Sequence, residues 1–284
     1  MADAASDWRR ALRPALRNRL VLFGTGIVAA MVLLAALAGA VAPYDPTEMK
    51  VSEALKAPSR AHLFGTDRFG RDVLSRTVHG SRIALGVAVS SIAIAFVAGT
   101  ALGLVGGYVG GWPDLAIGRV MDVLFSFPTL ILAIAIAAML GPSLNNAVLA
   151  IAVVYAPLFS RVARGPVIAE RAKEHVLAAL GLGAGAPRVI VRHILPNVLA
   201  PLIVQASVSL AFAILTEASL SYLGLGTQPP DPSWGTMLNE GRTYLETAPW
   251  MSVFPGVAIM LAVLGFNLLG DGLRAVLDPQ LRGR

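Results

Sequence analysis

The sequence predicts an all-α protein that crosses a lipid bilayer six times, and three observations predict it. Of the 284 residues, 56% are hydrophobic and only 14% charged, and the mean hydropathy is +0.69. A water-soluble domain carries roughly a quarter charged residues. Charge-poor stretches of about 20 residues or more recur along the chain, the length a helix needs to cross a hydrocarbon core about 30 Å thick. Lysine and arginine gather beside alternate stretches, the pattern of cytoplasmic loops.

The first stretch runs from Leu20 to Tyr44, after Arg9, Arg10, Arg13, Arg17 and Arg19. It exceeds a signal-peptide core of roughly 7–15 residues and no clear small-x-small cleavage site ends it before Pro43, so it is expected to stay as the first span. Ile83 to Pro113 is the second. Val123 to Ser160 is too long for one crossing and is divided by the loop signals Gly141-Pro142-Ser143 and Asn145-Asn146 into a third and a fourth. Ile194 to Thr216 is the fifth and Thr247 to Gly270 the sixth.

Charge sets the orientation. Arg161, Arg164, Arg171, Lys173, Arg188 and Arg192 lie between the fourth and fifth spans, and Arg274, Arg282 and Arg284 follow the sixth. Asp231, Glu240 and Glu246 face a single Arg242 between the fifth and sixth. Both termini and the 161–196 loop are therefore expected in the cytoplasm. Residues 45–82 mix basic and acidic groups, and parity places them outside. The net charge of +6 comes from residues that edge apolar runs, which argues against nucleic acid as a partner. The chain has no cysteine, which removes disulfides and thiol chemistry.

Within the spans, Gly99, Gly103, Gly106 and Gly107 are read chiefly as packing points, since helices in lipid associate through small residues. Pro128, Pro157 and Pro255 fall inside spans, where neighbours re-satisfy the freed carbonyls. Arg119 and Asp122 share a helix face and are read as interface anchors. Glu217, near the outer end of the fifth span, either lines a path or bonds to Ser219, Ser221 or nearby backbone. Asp67, Arg68, Arg71 and Asp72 alternate in sign before the second span, as a salt-bridged turn or as a contact for an external protein. His79, His175 and His193 lack ligand spacing, and no metal site is expected.

The loop from Arg161 to Pro196 holds the most informative run, Glu174-His175-Val176-Leu177-Ala178-Ala179-Leu180-Gly181-Leu182-Gly183. Ala178 and Ala179 make a thin helix face that another protein can approach. Gly183 and Gly185 can end that helix. Pro196 suits the start of the next. Composition alone leaves a docking element and an ordinary connector equally open.

The same run resembles the EAA loop of permease subunits in ATP-binding-cassette importers. Ala178, Ala179, Gly183, Ile194, Leu195 and Pro196 match its pattern, and Leu177 stands where that family usually has Glu. Four further segments resemble the second permease subunit of dipeptide and oligopeptide importers: Phe64 to Arg76, Glu217 to Gly226, Gln228 to Gly235, and Phe266 to Arg274. Arg17-Asn18-Arg19 and Ala42 to Pro46 fit as well. The resemblance covers nearly everything after residue 17.

That resemblance implies the type I importer permease fold and half of a solute pathway working by alternating access. Its parts would be a cytoplasmic segment (1–19), a first span (20–42), an extracytoplasmic segment (43–80), a five-span core (81–273) with a coupling loop (161–196), and a cytoplasmic tail (274–284). It implies residence in the bacterial inner membrane with lipid around the bundle. The implied partners are a homologous second permease, two ATPase subunits and an extracytoplasmic binding protein. The coupling residues would be Glu174, Leu177, Ala178, Ala179, Gly183, Ile194 and Pro196. ATP and Mg would sit on the partner ATPases, with no cofactor on this chain, and no phosphate-binding Gly-x-x-x-x-Gly-Lys-Ser/Thr run is present. The implied solute is a dipeptide or oligopeptide, with glutathione or nickel complexes as alternatives. An intramembrane enzyme would need paired aspartates or a His-Glu-x-x-His helix, which the sequence lacks. A channel or ion-coupled carrier would be expected to show inverted repeats or more intramembrane charge.

Overall fold

The computed structural model describes residues 19–277. Arg9, Arg10, Arg13, Arg17, Asn18, Arg282 and Arg284 lie outside the described residues. Among the described residues the architecture is helical throughout. Helix α1 spans Arg19–Ala36, α2 Val73–Val109, α3 Gly111–Phe125, α4 Thr129–Leu140 and α5 Leu144–Arg171. The short α6 spans Glu174–Gly181, α7 Ala186–Tyr222, α8 Trp234–Gly241 and α9 Trp250–Leu277.

Four of these, α2, α5, α7 and α9, are long and apolar enough to cross a membrane. The third expected span differs. Its residues form two helices, α3 and α4, bent by 92° at the break. The cause is local: Pro128 is the N-cap of α4 rather than an interior residue, and Ser126–Phe127 cannot continue a helix into it. Helix α3 also starts at Gly111, because α2 stops at Gly110 with φ of +69°. The first span is shorter than its apolar run. Its helix ends at Ala36 and a four-residue turn, Ala38–Val41, follows. Arg82 of α2 donates from Nη2 to the Ala36 carbonyl at 2.9 Å and from Nε to that of Ala35, satisfying two carbonyls left open at the end of α1.

The α4–α5 break lies at Gly141-Pro142-Ser143, as expected, but Asn145 and Asn146 belong to the first turn of α5. Ser143 caps that turn by accepting from the Asn146 N–H at 3.1 Å, and the Asn146 amide donates to Leu140 and Gly141 carbonyls at 2.9 Å each. Both asparagines read as loop residues because a helix N-terminus rewards the same side-chain chemistry as a turn.

The α2–α5 pair is the spine of the bundle. Gly99, Gly103 and Gly107 recur every fourth residue on α2 and meet α5 backbone and small side chains. A Cβ added at Gly103 would sit 2.7 Å from Ala163 Cβ, and one at Gly107 would sit 2.9 Å from Val167 Cγ1. These glycines let two helices lie closer than any side chain permits, which is how helices cohere in lipid. Gly106 faces Asp114 of α3 instead. Around the spine, large apolar side chains such as Phe23, Leu33 and Val97 point outward and exposed. An exposed apolar belt of this kind suits hydrocarbon rather than water.

Candidate functional site: the coupling loop, an adjoining cavity and the opposite cap

Most of the 161–196 connector is an extension of its flanking helices. Helix α5 continues through Arg171, and α7 already begins at Ala186. Only α6 and two tight turns stand between them. Pro196 stands in the first turn of the α-helical stretch Leu195–Tyr222, as expected, but helical backbone already begins at Ala186, where Pro187 occupies the first turn. What accommodates Pro196 is a π-helical turn at Ile190–Ile194, in which the Leu195 N–H reaches back five residues to the Ile190 carbonyl. Such a turn re-spaces the ladder where proline removes a donor.

Helix α6 ends in a Schellman motif. The Gly183 N–H donates to Leu180 at 2.9 Å and the Ala184 N–H to Ala179 at 3.0 Å, with Gly183 at φ +82°. Gly185, the other expected terminator, instead precedes α7 in an extended conformation. Val176, Val189 and Ile194 are fully buried and anchor the hairpin. Glu174, Leu177, Ala178, Gly183 and Pro196 are exposed and Ala179 partly so. Leu177 and Leu182 are 54% and 89% exposed, so α6 carries an unpartnered apolar surface around its alanine face.

One residue outside the expected set ties this hairpin down. Glu170, in the last turn of α5, is only 6% exposed. Its Oε2 lies 2.6 Å from Lys173 Nζ, and its Oε1 accepts from Asn197 Nδ2 at 2.9 Å and lies 3.3 Å from His175 Nε2. Sequence reasoning passed over it because a carboxylate in a basic loop looks like solvated surface. The signal available was its position one turn before a helix end, between Arg164 and Lys173, with no acidic neighbour except Glu174.

Beside the hairpin, a cavity of about 620 Å³ opens between α5, α7 and α9. Its polar lining is Asn197, Gln205, Asp271 and Arg274, against Pro201 and Val204. On the far side of α5, Arg164 grips Asp114 of α3 with two bonds, Nε to Oδ1 at 2.5 Å and Nη2 to Oδ2 at 2.6 Å. Asp122 pairs with Arg161 at 3.1 Å, so its partner is on α5 and not Arg119 of its own helix.

At the opposite end, residues 43–72 fold into a cap. Asp67, Arg71 and Asp72 are each 3% exposed or less, and only Arg68 of the four alternating charges is on the surface. Burial of the three is explained by their bonds. Arg71 Nε lies 2.6 Å from Asp67 Oδ2, and its Nη2 lies 2.8 Å from Glu240 Oε2 on α8. Arg76 adds a 3.4 Å contact to the same Glu240 oxygen. Asp72 caps α2 by accepting from the Ser75 N–H at 2.8 Å and holds His62 Nδ1 at 2.9 Å. His62, absent from the histidines weighed in the sequence, also lies 3.3 Å from Glu53. The Lys56 ammonium, followed by His62, holds the Glu53 carboxyl below its usual range. One indole pins the cap, Trp250 donating to the Thr66 carbonyl at 3.0 Å, and a second, Trp234, ties the start of α8 to α2 by donating to the Thr77 carbonyl at 2.9 Å.

Glu217 is fully buried. Its Oε1 accepts from Ser221 Oγ at 2.7 Å, and Ser221 Oγ accepts from the Thr227 N–H at 3.0 Å. The carboxylate thus braces the turn after α7, through Ser221 and not Ser219, and does not face the cavity.

Comparison with known proteins agrees with this architecture. Residues 99–283 match the family model "Binding-protein-dependent transport system inner membrane component", and residues 6–58 match "N-terminal TM domain of oligopeptide transport permease C". The chain is 46% identical over 279 residues to the dipeptide transport system permease protein DppC of Alkalihalophilus pseudofirmus, covering 98% of this chain and 92% of that protein. It is 45% identical to the di/tripeptide transport system permease protein DppC of Pseudomonas aeruginosa, covering 93% and 89%. It is 41% identical to the glutathione transport system permease protein GsiD of Pectobacterium atrosepticum, covering 98% and 92%. In fold it resembles a chain of the inward-facing MetNI methionine ABC transporter, with a TM-score of 0.57 at 20% identity over 72% of this chain and 97% of that one. The chain belongs to the family of inner-membrane components of binding-protein-dependent transport systems, as an ABC importer permease.

Proposed function

We propose that this chain is one of two permease subunits of an ATP-driven peptide importer and that α6 is its contact with an ATPase. The observation that carries the coupling assignment is α6 itself. It is a short helix beyond the end of the bundle, fixed at its base by buried Val176, Val189 and Ile194, with Leu177, Ala178 and Leu182 uncovered. An apolar, small-residue face held rigidly in this way fits a groove in a soluble partner.

In this reading both termini and α6 face the cytoplasm. Helix α1, the bent α3–α4 pair and the four long helices make six crossings. The 620 Å³ cavity belongs to the inner mouth of the solute pathway, where Asn197, Gln205, Asp271 and Arg274 supply polar contacts. ATP and Mg bind the ATPase subunits. Their closure displaces α6, the bundle opens outward to a binding protein that delivers solute, and hydrolysis resets it. Arg68, exposed on the cap, is available to that binding protein.

The dipeptide or oligopeptide class is supported by the names of two relatives, and the name of a third supports glutathione as the alternative. The test is uptake by the complete complex in proteoliposomes, with its binding protein present, of labelled dipeptide, glutathione and nickel chelate offered separately. Saturable dipeptide uptake that the other two fail to match supports the assignment. Uptake confined to a nickel complex would replace it.

A further inference from the structure

Glu170 is buried, charged and placed where three segments meet, yet none of the resemblance motifs contains it. Its carboxylate belongs to the last turn of α5. It receives Lys173 at 2.6 Å, just before α6, and Asn197 at 2.9 Å, in the helix that follows the π-turn; His175 of α6 lies 3.3 Å away. Asn197 has a second attachment, donating to the His193 carbonyl of the π-turn at 2.7 Å. Asn197 also lines the cavity between α5, α7 and α9. One side chain therefore joins the base of α6 to the cavity wall through a single hydrogen bond.

From this geometry we infer that Glu170 is the positioning residue that makes α5, α6 and α7 move as one body, so that a push on α6 reaches the cavity through Asn197. The inference rests on the reading of α6 as the ATPase contact. Without the Glu170–Asn197 bond, α6 is still a helix, because its Schellman turn and its buried valine are independent of it. It would then hinge at Ala172–Lys173, where α5 ends, and displacement of α6 would be absorbed in the hinge. The chemistry suits the task. A charge-assisted hydrogen bond to a carboxylate that is itself buried is stronger than a neutral one, and its donor is fixed from a second side by the His193 carbonyl.

The experiment measures the coupling ratio, solute taken up per ATP hydrolysed, in the complete reconstituted complex. Glu170→Leu keeps the volume of a buried side chain and removes its acceptors. Asn197→Ala removes the same bond from its exposed end. Each is expected to lower the coupling ratio about tenfold, the order of effect of one charge-assisted bond, while ATPase subunits still co-purify. Glu170→Gln, which keeps an acceptor for Asn197, should restore most of it. The double variant Glu170→Leu with Asn197→Ala should be no worse than the poorer single one, because both remove one interaction. A normal coupling ratio in either single variant, or a double variant whose loss is the product of the two, overturns the inference. So does lost ATPase co-purification in both, which would make the clamp a folding element only. The wild-type complex in the same vesicles separates the two readings: if it shows no ATP-dependent uptake, the function reading fails first.

Discussion

Valine in place of Gly183 should loosen the last turn of α6 without disturbing anything around it. A Cβ at this position would meet no atom within 4 Å, so crowding contributes nothing. The cost is the backbone. Gly183 sits at φ +82°, where an L-residue loses about 1–2 kcal/mol and a β-branched one the upper part of that range. That strain falls on the two bonds that close the helix, Gly183 to Leu180 and Ala184 to Ala179. At ~2 kcal/mol the open form of the turn gains about thirtyfold in population. Hydrogen exchange of the peptide covering 174–184, in the purified protein, reads this directly. Gly183→Val should exchange about thirtyfold faster there and unchanged elsewhere. Gly183→Asn should stay within a few-fold of wild type, because asparagine tolerates the left-handed region. Equal protection in the valine variant, or equal damage from asparagine, would refute the argument that backbone sign is what glycine supplies. The same ranking is expected in ATP-dependent uptake if α6 docks an ATPase.

The remaining predictions concern the bundle and its cap. Gly103→Val drives a side chain into Ala163 and should destabilise the α2–α5 spine by about 1–3 kcal/mol, seen as a lower melting temperature in detergent. Arg71→Ala leaves Asp67 and Glu240 only the longer contacts to Arg76, at 3.6 and 3.4 Å, and should cost about 1–3 kcal/mol, measured as loss of folded protein in the membrane fraction. Glu217→Gln keeps an acceptor for Ser221 and should melt close to wild type, while Glu217→Ala should fall by about 1–3 kcal/mol. A Glu217→Gln variant that folds but no longer transports would instead give the carboxylate a role in the pathway.

Much of the architecture was legible in the sequence because membrane helices announce themselves by length and hydropathy. The long helices α2, α5, α7 and α9 follow from charge-poor runs. The 92° break between α3 and α4 does not, because hydropathy has no term for direction, and Pro128 reads alike as a kink or as a cap. The π-turn before Pro196 was hidden for a related reason: a proline at a helix start and a proline behind a π-turn have the same local sequence. At the site, Gly183 and the alanine face were legible from short-range rules. Glu170, His62 and the Arg71–Glu240 pair were missed, since their meaning lies in partners that only the folded loops bring together, from three to 169 residues away. Arg71 and Glu240 are 169 residues apart, and no local pattern joins them.

The account turns on ATP-driven work delivered through α6. The most direct test is uptake in proteoliposomes by this chain with its companion permease, with and without the ATPase subunits. The account predicts solute accumulation that requires ATPase subunits, ATP and binding protein together, and that Gly183→Val lowers while the chain still inserts. Solute movement of equal rate in vesicles lacking the ATPase subunits would contradict it and make the chain a channel or an ion-coupled carrier.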